Sequence, residues 1–76
     1  MTHVAPQLPG QALRILREEA GLTAKQVAVR AGVSESYLSR VENGKEDPSA
    51  TWLGSVSSAI SEALVDSALS KRRVAS

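Results

Sequence analysis

At 76 residues the chain has room for one domain, near the lower limit at which a single core folds without staples. It contains no cysteine, which removes disulfides and thiolate sites and leaves the core, with help from a partner subunit, to carry stability. A hydrophobic content of 42% is ordinary for a soluble protein, and a formal net charge of +1 is too small for bulk electrostatics alone to hold a polyanion.

The opening MTHVAPQLPG has neither the basic start nor the apolar segment of a signal peptide, and no later run is long and apolar enough to span a membrane. A cytoplasmic chain is expected. Residues 1–8 lack periodicity and read as a flexible arm. His3 stands there without a second ligand, so no metal site is expected. Pro9 suits the first position of a helix that runs to about Ala20, where Gly21 ends it. Leu13, Leu16 and Ala20 form the stripe expected to be buried.

The most informative stretch is LTAKQVAVRAGVSESYLSRVENGK, from Leu22 to Lys45. Thr23 followed by Gln26 is a capping box, which starts a second helix at about Ala24. Val27, Ala28 and Ala31 share one face, and Gly32 stops the element because glycine accepts the left-handed conformation needed there. Ser34 caps a third helix, Glu35 to Glu42, with Leu38 and Val41 inward and Asn43-Gly44 as its stop. Two helices so close in sequence must cross steeply. Small residues, Ala28 and Gly32, are expected to let the backbones approach, with Val33 filling the angle. This spacing matches a helix-turn-helix, whose second helix enters the major groove of DNA.

From about Leu13 to Ile60 the chain resembles the Cro and phage-repressor (Xre-type) helix-turn-helix family, and LREEAGLTAKQVAVRAGVSESYLSRVENGKEDPS matches its pattern almost without gaps. The resemblance implies an all-α, lambda-repressor-like bundle of four to five helices. It also implies that Arg17 pairs with Glu42 and fixes the angle between the first and third helices. One departure is clear. Where the family commonly has a glutamine that holds a phosphate, this sequence has Ala24, leaving Lys25 or Arg30 to supply part of that contact as less directional charge.

On the third helix the outward residues are Glu35, Ser36, Ser39 and Arg40, with Tyr37 at the edge. Arg40 is the candidate base reader, since a guanidinium can donate two hydrogen bonds to guanine; its competing use is a phosphate clamp. Ser36 and Ser39 let the backbone approach but specify little. Glu35 either accepts from cytosine or complements the positive end of its own helix. Tyr37 packs half buried, contacts a phosphate, or both. Ser34, Asn43 and Lys45 flank the helix, where amides and a lysine can grip the sugar-phosphate chain.

Asp47-Pro48-Ser49 opens a last helix with Leu53, Val56, Ile60 and Leu64 on its core stripe. Where the resembled family has a glycine after Ile60, Ser61 stands here, followed by EALVDSALSKRR, so the helix is expected to be long or gently bent. Residues 9–70 thus form the domain, and residues 71–76, with Lys71, Arg72 and Arg73, a basic tail. Trp52, Val65 and Leu69, with Ile15, are surplus to one small core. They pack on one another or meet a second copy, and a symmetric homodimer would place two recognition helices one helical turn of DNA apart. Gly54 inside the helix hints at close backbone contact.

No catalytic constellation or glycine-rich phosphate loop is present, and no cofactor, metal or small-molecule ligand is implied. The reading is a sequence-specific, double-stranded DNA-binding transcriptional regulator, a Cro-like repressor of phage or prophage type that acts by occupying its operator. Two alternatives stand beside it: an antitoxin of a toxin–antitoxin pair, and a protein-interaction module on the same fold.

Overall fold

The computed structural model describes the backbone of residues 9–75 and the side chains of residues 9–70. The arm expected over residues 1–8, with His3, and the side chains of Lys71, Arg72 and Arg73 lie outside the described residues. Over the described residues the fold is an all-α bundle of four helices, α1 (Pro9–Glu19), α2 (Ala24–Ala31), α3 (Glu35–Glu42) and α4 (Ala50–Ala75). No helix among the described residues is long and apolar enough to cross a membrane.

Local chemistry sets the bounds of these helices. Thr23 and Gln26 close a reciprocal capping box at α2, with Gln26 N donating to Thr23 Oγ1 at 3.1 Å and Thr23 N donating to Gln26 Oε1 at 2.8 Å. Ser34 caps α3 and Ser49 caps α4 through their hydroxyls, each accepting an amide at 3.1 Å. The first three helices end alike. In each, a glycine with φ near +70° (Gly21, Gly32, Gly44) turns the chain so that its own amide and the one after it donate back to carbonyls of the last turn.

The core is small: Leu13, Val27, Ala28, Leu38, Val56 and Ile60 pack together, with Ala20, Leu22, Val33, Trp52 and Leu53 against them. The inward line of α1 is Gly10, Leu13 and Arg17, continued by Ala20 in the turn after it, all buried or half-buried. Gly10 is the residue that sets how closely α1 approaches α3, because a methyl group there would overlap the Val41 carbonyl. Its role is invisible without the partner helix.

Several expectations change. Leu16 is 46% exposed and Leu64 is 41% exposed, not core. Each lies about 60° or less around its helix from the buried line, outside the narrow face that such a thin bundle covers. Gly32 does not permit close packing, since a Cβ there would meet nothing within 4 Å; its left-handed φ of 69° is what requires glycine. Ala28, 4% exposed, is the small contact residue. Gly54 likewise faces open space, so no backbone approach explains it. Trp52 is drawn into the monomer's packing and does not stand as surplus surface. The boundary drawn at residue 70 falls inside α4, whose backbone stays helical to Ala75.

Ala63 is the last buried residue of α4 among the described side chains, and residues 64–70 are all exposed. The helix therefore projects beyond the bundle it starts in. Leu64, Val65 and Leu69 are 41%, 56% and 48% exposed on that projection, with Ile15 (49%) exposed on α1.

Candidate nucleic-acid interface

α3 is held from behind and left open in front. Leu38 and Val41, on its inner side, are 0% and 1% exposed. Glu42, also buried, is a polar residue that nevertheless has full partners. Arg17 Nε donates to Glu42 Oε2 at 2.8 Å and Nη2 to Glu42 Oε1 at 2.9 Å, while Nη1 donates to the Leu22 carbonyl at 2.9 Å. The fork thus ties α1, the turn before α2 and the end of α3 in one bidentate contact. The Glu42 hydrogen bond, helped by its charge, raises the Arg17 pKa above the ordinary value against the opposing effect of burial. Arg17 thus keeps its charge under ordinary conditions.

The outer face of α3 carries Glu35, Ser36, Ser39 and Arg40, all exposed, with Tyr37 half-buried at its edge. The two flanking polar residues spend their side chains on the helix itself. Ser34 Oγ accepts from the Tyr37 amide, and Asn43 Nδ2 donates to the Ser39 carbonyl at 2.8 Å. Lys45 is exposed in the loop, its amide donating to the Arg40 carbonyl at 2.8 Å, which sets the lysine immediately after the helix.

Arg40 is not a free side chain. Its Nε donates to Glu46 Oε2 at 3.2 Å, and its guanidinium carbon lies 5.6 Å from the centre of the Tyr37 ring. Tyr37 in turn meets Trp52 edge-on, ring centres 5.2 Å apart and planes at 76°. No motif or periodicity in the sequence points to Glu46 or to this chain of contacts.

Lys25 is exposed near the start of α2. Arg30 lines a shallow groove between α2 and α4 with Gly54, Ser58 and Glu62. The structure therefore gathers Glu35, Ser36, Tyr37, Ser39, Arg40, Asn43 and Lys45 around α3 and sets Arg30 apart from them. Among the described residues no group of His, Cys, Asp or Glu is arranged to hold a metal ion.

Residues 10–60 match the family model described as a helix-turn-helix domain. The chain belongs to that family. It is 56% identical over 36 residues to the HTH-type transcriptional repressor RghR of Bacillus subtilis, covering 47% of this chain and 27% of RghR. It is 37% identical over 51 residues to the immunity repressor protein of Bacillus phage phi105, covering 67% and 35% respectively. With an HTH-type transcriptional regulator of Sinorhizobium fredii, y4dJ, the identity is 37% over 54 residues, covering 71% of this chain and 70% of the relative. The chain spans about a quarter of RghR and about a third of the phage repressor.

Proposed function

We propose that this helix-turn-helix protein is a cytoplasmic, sequence-specific transcriptional regulator that binds double-stranded DNA and represses by occupying its operator. The observation that carries this reading is α3: a capped helix, anchored from behind by Leu38, Val41 and the Arg17–Glu42 fork, whose exposed side is short and polar around one arginine. A rod of this kind fits the major groove, where Arg40 can donate to guanine O6 and N7, while the Lys45 ammonium contacts a phosphate. Relatives named as repressors, one of them from a phage, support repression and a phage or prophage setting.

The protein acts as a symmetric dimer on an inverted repeat. Val65 and Leu69, with Leu64 beside them, are apolar, exposed and close in helical spacing on the part of α4 that leaves the bundle, as expected for an interface between copies. The same surface also supports a second reading, an antitoxin that holds an unlike protein there. A single species of dimer mass in sedimentation of the purified chain favours the first; a monomer that co-purifies with a small toxic protein from its native host favours the second.

Selection of bound sequences from a random duplex pool tests the DNA reading. Enrichment of a two-fold symmetric site supports it, and affinity for that site should fall steeply and linearly in log–log terms as salt rises. Failure to enrich any sequence contradicts it.

A further inference from the structure

A guanidinium that reads a base must present the right edge at the right angle, and a free arginine on a helix surface samples many rotamers. Here Arg40 is constrained from two sides. Glu46 takes Nε, the donor nearest the aliphatic stem, at 3.2 Å. The Tyr37 ring lies alongside the guanidinium and is itself braced by Trp52 from α4. The contact to Glu46 uses Nε and not the end-on pair Nη1 and Nη2, the edge that matches O6 and N7 of guanine. Glu46 also sets a negative charge beside the one arginine on the α3 face, where it opposes a non-productive slide of Arg40 onto a phosphate.

Resting on the DNA-binding reading above, we propose that Glu46 is a positioning residue for sequence recognition: it acts through Arg40, holding the guanidinium against Tyr37 so that its outer edge reads a base pair. The pair is half exposed, with side chains 50% and 38% accessible, so it orients Arg40 without locking it. Its effect is on preference among sequences. An exposed contact of this strength changes preference by about two- to fivefold.

The test uses the full chain and the duplex enriched from the random pool, with every single base-pair variant of one half-site and an unrelated duplex. Arg40→Ala first identifies the base pair whose preference depends on Arg40. Glu46→Gln, whose amide oxygen still accepts from Nε, and Glu46→Ala, which cannot, are then compared. Expected is a graded loss of preference at that base pair alone, wild type above Glu46→Gln above Glu46→Ala, with tighter binding to the unrelated duplex. In an Arg40→Ala background, Glu46→Ala should leave preference unchanged. The proposal is overturned if the two Glu46 variants are equal and strengthen all duplexes by one factor, which is charge alone, or if Glu46→Ala leaves preference untouched. It also falls if Arg40→Ala changes no preference. Absence of any enriched duplex overturns the functional reading itself, a result distinct from these. Equal thermal melts of the Glu46 variants and wild type exclude misfolding as the cause.

Discussion

Two arginine–glutamate pairs touch α3, and they differ in almost everything but composition. Arg17–Glu42 is bidentate, with side chains 12% and 5% exposed, and Arg17 also satisfies the Leu22 carbonyl. Arg40–Glu46 is one contact at 3.2 Å between half-exposed groups. Burial makes the first pair part of the mount: breaking it would strand a charge with no water to solvate it. Exposure makes the second adjustable, since solvent or a ligand can replace either partner at little cost. The same chemistry fixes a helix on one side and leaves a working arginine on the other.

The contrast can be broken most severely at the buried pair. Arg17→Met leaves Glu42 buried and unpaired, and should destabilise the fold by about 3–5 kcal/mol in chemical denaturation. Adding Glu42→Leu should recover most of that loss; no destabilisation by Arg17→Met would mean the fork is idle. Gly10→Ala attacks the same α1–α3 seam by overlap with the Val41 carbonyl, at about 3 kcal/mol by the same measurement.

On the exposed side the effects are on binding. Leu69→Asp should dissolve the dimer and, by removing the second half-site contact, weaken operator affinity on the order of 100-fold while leaving the monomer's helicity intact. Sedimentation and a gel-shift titration read both. Arg40→Ala should cost about 1–3 kcal/mol of discrimination at one base pair, whereas Lys45→Ala should weaken all duplexes alike. The smallest effect is a gain: Gly54 is helical and meets no neighbour, so Gly54→Ala should stabilise α4 by about 0.5–1 kcal/mol in a thermal melt.

What the sequence makes legible follows range. The caps at Thr23 and Ser34 and the stops at Gly21, Gly32 and Gly44 are readable because each rests on neighbours within a few residues. Leu16 and Leu64 are core by spacing and exposed in the fold, because helical spacing gives a face only to within a residue's rotation, and the width of that face depends on what covers it. Gly10 could not be valued without Val41, nor Trp52 without Tyr37, because each contact joins residues far apart in the chain. Arg17 and Glu42, 25 positions apart, were paired only through family resemblance. Glu46 is not legible in the sequence, since it meets Arg40 across the end of a helix, where periodicity has stopped.

The central claim, that the outer face of α3 lies against duplex DNA, is tested most directly by nuclear magnetic resonance titration of the labelled protein with its enriched duplex at physiological salt. The account predicts that the amides of Ser36, Ser39 and Lys45 and the Arg40 side-chain Nε–H shift most, in step with operator binding. Unmoved signals there, with the largest changes along α2 or the Arg30 groove, would contradict it.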